Sequence, residues 1–282
     1  MAATPITPSG FHPGSLGGTL ELAADGIWYS GEREAVSYLE TGNATCFEIE
    51  EGSFWFRHRA ACLTAVIQQF LPGGAIYDIG GGNGFVARSL IDAGFDAVVV
   101  EPGETGARNA RRRGIPTVVC ATLSSANFAA DILPAAGLFD VLEHVENDVA
   151  FLGEIHRCLA PGGRLYVTVP AYSWLWSDDD VVAGHFRRYT ITKLTARLQA
   201  VGFKRLFGTY FFSLLPLPLL LLRTLPSFLG RRTLPRQKYA GLHQPRARWL
   251  TDRIWAAERR ALADGRAVPF GSSCLIVAER VS

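Results

Sequence analysis

Apolar residues between positions 54 and 70 recur at helical spacing. Phe54, Phe56, Leu63, Ile67 and Phe70 form the run, interrupted by Arg57, Arg59 and Gln68, and Leu71-Pro72-Gly73-Gly74 stops it. This predicts a helix. The chain then alternates short β-rich runs with helical stretches. The predicted strands are 75–79 (AIYDI), 96–101 (DAVVVE), 117–122 (TVVCAT), 136–142 (AGLFDVL) and 164–170 (RLYVTVP). Between them 86–94, 106–114 and 149–159 read as helices. Nearly all-apolar strands alternating with helices predict an α/β fold, with a mostly parallel, doubly wound sheet covered on both faces.

The last third departs from that alternation. Thr190 and Gly202 bracket a predicted helix as N-cap and C-cap, and strands are expected at 204–212 and 272–281. Between those strands lie some 60 residues that the alternation does not need. They open with Ser213-Leu214-Leu215-Pro216-Leu217-Pro218-Leu219-Leu220-Leu221-Leu222, and no charged residue occurs in the 17 positions between Arg205 and Arg223. From Arg223 to Arg260 there are ten basic residues against Asp252 and Glu258, a net of +8, which leaves about −6 for the rest of the chain. The expected organisation is a flexible arm at 1–26, rich in Pro, Gly, Ser and Thr, and a helical cap at 27–74. A core at 75–212, a helical insertion or lid at 213–266 and a final, antiparallel core strand within 267–282 complete it.

Composition narrows the setting. Of 282 residues 48% are hydrophobic and 19% charged, which excludes wholesale disorder. A net charge of +2 gives no chain-wide reason to expect nucleic acid. The five cysteines lack metal-finger or C-x-x-C spacing and read as reduced thiols, and no apolar signal region opens the chain. A cytoplasmic protein follows, peripheral at the inner face of the membrane if the apolar and basic segment at 207–260 touches a bilayer. Asn43-Ala44-Thr45 matches a glycosylation sequon by chance on that reading.

The segment Asp78-Ile79-Gly80-Gly81-Gly82-Asn83-Gly84 ends the first predicted strand of the sheet and opens a helix. Glycine there permits unusual backbone angles and close approach of a ligand, and the helix N-terminus favours an anionic group. A dinucleotide fingerprint needs G-x-G-x-x-G, but the third glycine would fall on Phe85. The glycines instead stand at Gly80, Gly82 and Gly84. About 20 residues on, Glu101 closes the second strand, where an acid can accept from a ribose diol.

The D-x-G-x-G-x-G loop, the acid closing strand two and the later Leu159-Ala160-Pro161-Gly162-Gly163-Arg164 segment resemble the Rossmann-like class of S-adenosylmethionine-dependent methyltransferases. The resemblance covers about 54–202 and the two final strands. It implies a cofactor-binding core at 75–212 in which Asp78 orders the loop and the methionine amine, Gly80, Gly82 and Gly84 admit the cofactor, and Glu101 holds its ribose. The family often places an adenine-reading acid after strand three; here Cys120-Ala121-Thr122-Leu123 stands instead, so Thr122 and Leu123 must substitute. Ser53-Phe54-Trp55-Phe56-Arg57 resembles N-terminal segments of some bacterial members that close over the cofactor. That brings Trp55 into the cofactor site, unless its helix face simply packs aromatics into the core.

Asp140-Val141-Leu142-Glu143-His144 lies where strand four gives way to its helix, beside the glycine loop. Two readings stand. As scaffold, the acids cap a helix and Asp140 touches the cofactor; many methyltransferases resemble this segment without a metal. Alternatively Asp140, Glu143 and His144 hold Mg²⁺ or Mn²⁺, as similar segments do in metal-assisted O-methyltransferases. His185, in the loop after strand five, is a fourth ligand or a general base, so His144 and His185 are the catalytic candidates. The function expected is methyl transfer to a small or lipid-linked acceptor, at oxygen, with no nucleic acid and no obligate protein partner. The alternatives are a nicotinamide-dependent oxidoreductase and a non-catalytic cofactor-binding protein of the same fold.

Overall fold

The computed structural model describes residues 20–31, 46–230 and 248–281. Its strands are β1 (Leu20–Leu22), β2 (Trp28–Ser30), β3 (Ile76–Ile79), β4 (Ala97–Val100), β5 (Thr117–Cys120), β6 (Leu133–Phe139), β7 (Leu159–Pro170), β8 (Phe203–Phe211) and β9 (Ser273–Arg280). They form one sheet in the order β1-β2-β5-β4-β3-β6-β7-β9-β8. The pairs from β2 through β7 are parallel, while β9 runs antiparallel between β7 and β8. The doubly wound sheet with an antiparallel terminal strand is therefore observed.

The helices are α1 (Phe54–Gln69), α2 (Phe85–Asp92), α3 (Glu104–Arg112), α4 (Leu123–Ala126), α5 (Asp148–Cys158), α6 (Asp178–Ala183) and α7 (Ile191–Ala200). After β8 come α8 (Pro216–Leu219), a π turn (Leu220–Thr224), α9 (Leu225–Phe228) and α10 (Arg248–Ala263). Strand alternation divides the core between the two faces of the sheet. Ala97 and Val99 point to one face, where Leu63 and Val66 of α1, Leu90 of α2, Ala107 of α3 and Leu262 of α10 are buried. Val98 and Val100 point to the other, with Leu123 of α4, Leu152 and Ile155 of α5 and Leu194 of α7. Each fully buried aliphatic side chain contributes about 1.5–3 kcal/mol of transfer free energy.

Two expectations need correction. Residues 20–30 are neither arm nor helical cap but a hairpin, paired Leu22↔Trp28 and joined parallel to β5 through Trp28↔Val119. Asp25-Gly26 makes its turn, with Asp25 Oδ1 accepting from the Ile27 N–H at 3.1 Å. The other concerns the insertion. Its second half is not a lid, because α10 packs along α1 with Trp255 and Leu262 buried. The remainder of the expected arm, the sequon and residues 231–247 lie outside the described residues.

Glu258 fastens α10 to the core. Its Oε1 accepts from the Phe212 N–H at 2.9 Å and lies 2.7 Å from His58 Nε2, while Oε2 accepts from the Ser213 N–H at 2.8 Å. Burial opposes ionisation of Glu258, but these hydrogen bonds outweigh it and hold its pKa below the ordinary value. Burial lowers the pKa of His58, so the ring is neutral, donating through Nε2 while Nδ1 accepts from Arg259 at 3.3 Å. Phe54, Phe212 and Trp255 enclose the pair.

Glu258→Ala, which orphans a buried imidazole and two backbone N–H groups, is expected to cost about 3–5 kcal/mol in urea unfolding. Glu258→Gln should cost less. A depressed folded-state pKa makes the carboxylate's advantage over the glutamine variant full above about pH 4.3. It shrinks as pH falls further and vanishes once Glu258 is protonated in the fold. A stability difference between wild type and Glu258→Gln that did not change on acidification would contradict the ionised assignment.

Candidate active site

The sheet reverses its winding between β3 and β6, the two neighbours whose connections leave toward opposite sides. In open α/β sheets, ligands collect at the carboxyl ends of strands at such a point. The glycine loop sits there. The Gly80 N–H donates to Val100 O at 2.7 Å, and the Gly82 N–H donates to Glu101 Oε2 at 2.8 Å. Glu101 Oε1 also accepts from the Gly103 N–H at 2.8 Å, so this buried carboxylate ties the loop after β3 to the one after β4.

The glycines have different tasks. Gly80 has φ +71°, and a Cβ there would lie 2.9 Å from Val141 Cγ2, so the loop rests directly on the turn after β6. Gly84, at φ +72°, caps α2 and would place a Cβ 2.9 Å from that of Ala110. Its demand is therefore close packing of α2 on α3. Asn83 secures the loop from below, donating to Glu50 Oε1 at 3.1 Å and accepting from Arg113 at its carbonyl at 2.6 Å. Arg113 and Glu50 form a buried ion pair at 2.8 Å. The sequence reading missed this support, since Glu50 is remote in the chain and carries no motif.

Asp78 is buried at the foot of the loop, and its Oδ2 has no hydrogen-bond partner among the described residues. Desolvation pushes its pKa up to about 7, with Glu101 adding to the rise and Arg59 and the Ala87 backbone opposing it. A buried, unsatisfied carboxylate oxygen beneath a glycine loop has the right chemistry to accept from a cationic ligand group. Arg59 enters from α1, its Nε 3.0 Å from Asp140 Oδ2 and its Nη2 donating to Phe139 O at 2.5 Å. Trp55 lies between Arg59, 5.2 Å away over its ring, and Phe212, on which it stacks at 5.7 Å.

Asp140 has φ +60°, a strained value for a residue with a side chain. The twist turns its carboxylate to Arg59 and to Thr168, whose hydroxyl donates at 3.0 Å. Asp140 is thus not brought into a set with Glu143 and His144. His185 takes that place: Glu143, His144 and His185 present ligand atoms all within 4.8 Å of one another. The His144 and His185 rings stand edge to face, 4.7 Å apart. Glu143 is buried, its Oε2 without a hydrogen-bond partner among the described residues, and burial together with Asp140 raises its pKa well above the usual carboxylate range.

His185 is positioned by Asp180, whose Oδ1 lies 2.8 Å from Nδ1. Burial resists ionisation of Asp180, but hydrogen bonds from His185 and Arg188 prevail and lower its pKa. An ionised carboxylate at Nδ1 fixes the tautomer with Nε2 free to accept a proton. Asp178, Asp179 and Asp180 are alike in sequence; burial distinguishes Asp180. The loop is sewn to the turn after β6, since the Phe186 N–H donates to Glu143 O at 2.7 Å and Arg187 pairs with Asp148 at 3.2 Å.

Thr122 and Leu123 follow β5 on the same edge of the sheet. The Thr122 hydroxyl caps α4, accepting from the Ser125 N–H at 2.9 Å, and Leu123 is buried. A second group with ligand atoms close together, His58, Cys62 and Glu258, is the structural knot described above. His12 and His243 lie outside the described residues.

Comparison with known proteins agrees with this geometry. The family model described as "Methyltransferase domain" matches residues 55–206. A curated relative from Mycolicibacterium smegmatis, described as a probable S-adenosylmethionine-dependent methyltransferase, is 26% identical over 171 residues, 58% of this chain and 65% of its own length. The match thus spans just under two thirds of that relative. The fold is shared with the chain bound to the Trm112 methyltransferase activator in Haloferax volcanii, at TM-score 0.57 and 16% identity over 88% of this chain and 98% of that one. It is shared too with phosphoethanolamine N-methyltransferase 2 of Haemonchus contortus, at TM-score 0.56 and 18% identity over 87% and 59% of the two chains. With more than half its length matched, this chain belongs to the methyltransferase-domain family.

Proposed function

We propose that the protein is an S-adenosylmethionine-dependent methyltransferase acting on a hydroxyl of a small or lipid-linked acceptor. The observation that carries this reading is the orphaned Asp78 Oδ2 beneath the Gly80–Gly84 loop, with Glu101 at the end of the next strand. Bound S-adenosylmethionine supplies a methyl group on a sulfonium, already an excellent leaving group. Asp78 accepts from the methionine ammonium. Gly80 and Gly82 let the loop backbone come close. Glu101, whose carboxylate holds the Gly82 and Gly103 N–H groups at the end of the next strand, meets the ribose hydroxyls. Thr122 and Leu123 border the base, and Trp55 and Arg59 close the side nearest α1.

A hydroxyl acceptor needs its proton removed as it attacks. His185 takes that proton at Nε2, and Asp180 stabilises the imidazolium that results. His144, packed edge-on against His185, orients the acceptor. A second reading has one observation in its favour, the convergence of Glu143, His144 and His185. Two imidazoles and one carboxylate fit Mn²⁺ better than Mg²⁺, which prefers oxygen ligands. A cation there would lower the acceptor's pKa.

Isothermal titration is expected to show S-adenosylmethionine binding that tightens from about pH 6 to 7.5, as Asp78 ionises around its raised pKa of about 7. Asp78→Asn should weaken binding by about 1.5–3 kcal/mol and flatten this dependence. Unchanged affinity in Asp78→Asn would sink the cofactor assignment. Glu101→Ala should lose at least as much, because the loop loses its tie as well.

For the chemical step, His185→Gln and Asp180→Asn are each expected to lower kcat about 10²–10⁴-fold while leaving cofactor affinity unchanged. Activity retained in both variants would remove the base from this loop. Activity lost on chelation and restored by Mn²⁺ would select the cation reading; full activity in chelator would select the base alone.

A further inference from the structure

The segment from Leu215 to Leu229 is amphipathic in the reverse sense. Its polar side chains face the protein. Thr224 Oγ1 donates to Leu175 O at 3.1 Å, Ser227 Oγ accepts from the Asp178 N–H at 3.1 Å, and Arg223 pairs with Asp179 at 2.9 Å. Leu215 packs on the core, but six apolar side chains face outward: Leu217, Leu221, Leu225 and Phe228 follow at intervals of four, four and three along one side, and Leu222 and Leu229 widen the stripe. Phe228 is 88% exposed, Leu222 70% and Leu229 69%. A helix on a water-facing surface does the opposite, burying its apolar stripe and hydrating its polar one.

The stripe has company from elsewhere in the chain. Val181 and Val182 of α6, to which the segment is tied, are also exposed, at 63% and 60%. Together these side chains form a patch of a kind that soluble surfaces rarely present without a partner. Charge indicates the partner. The sequence directly after the stripe carries Arg231, Arg232, Arg236, Lys238, Arg246 and Arg248 with no acid before Asp252. No helix among the described residues is long and apolar enough to cross a membrane, and Pro216, Pro218 and Pro226 punctuate this one.

We infer that this face is an interfacial membrane-contact surface that seats the protein on an anionic lipid bilayer. The apolar stripe enters the headgroup boundary, and the basic residues supply attraction to anionic lipid. The inference deepens the methyltransferase reading and rests on it for the substrate class. The helix that turns Val181 and Val182 outward holds Asp180 inward against His185. The acceptor hydroxyl therefore belongs to an amphiphile, presented at the bilayer surface beside that histidine.

The test is sedimentation of the full chain with vesicles of phosphatidylcholine and of equal parts phosphatidylcholine and phosphatidylglycerol, at low and high salt. Wild type should pellet with the anionic vesicles and be released by salt. Leu222→Ser/Phe228→Ser/Leu229→Ser and Arg231→Ser/Arg232→Ser/Arg236→Ser should each bind at least about tenfold more weakly. Titration with S-adenosylmethionine should be unaltered in both, which shows that they fold. Negligible pelleting of wild type, or equal pelleting of wild type and the apolar variant, overturns the inference. So does a wild-type dimer that the apolar variant abolishes, since a second copy then covers the face. Vesicle binding without cofactor binding would leave the membrane surface standing and defeat the methyltransferase reading instead.

Discussion

Arg59 is the charge on which the site depends. The winding of the sheet brings Asp78, Asp140 and Glu143 to one edge, all largely withdrawn from water, and like charges that close cannot all ionise without a cation. Arg59 pairs directly with Asp140, and its field favours ionisation of both Asp78 and Glu143. It comes from α1, outside the alternating core. The cap helix is therefore an electrostatic component of the site rather than a cover laid over a finished one.

That requirement passes outward through the fold. The inner face of α1 packs on the sheet, and its outer side is held by α10 through the neutral His58 and ionised Glu258. Glu258 also takes the backbone N–H groups of Phe212 and Ser213, where β8 ends and the apolar segment begins. One carboxylate thus links the insertion, the end of the sheet and the helix that delivers Arg59. The insertion divides accordingly: α10 buttresses the core, whereas α8, the π turn and α9 are fastened by polar contacts to the loop carrying Asp180 and His185. The loop of Asp180 and His185 and the helix of Arg59 are thus supported by different halves of one insertion.

Much of the architecture was legible from residue patterns, because it is set locally. Strands β3 to β7 and helices α2, α3 and α5 follow from runs of Val, Ile and Leu and from helical periodicity, whereas the four-residue α4 is too short to show a period. The turn after β3 follows from glycines whose backbone angles exclude other residues. The N-terminal hairpin was missed although Asp25-Gly26 signals it, since three-residue strands carry little alternation and gain their stability from pairing with β5. The cluster of Glu143, His144 and His185 was legible by residue type but not by grouping.

What the sequence determined by itself was the order of elements, the position and chemistry of the glycine loop, and the acid at the end of β4. Each is encoded within a few neighbouring residues. Only tertiary structure decided that Asp140 turns to Arg59, that His185 joins Glu143 and His144, and that Asp180 alone of three consecutive aspartates is buried against His185. It also decided that Leu217, Leu221, Leu222 and Leu229 face outward while Thr224 and Ser227 face in. These outcomes depend on burial and on charges brought together from distant parts of the chain. The energy of a carboxylate is set by such surroundings, which no local pattern records.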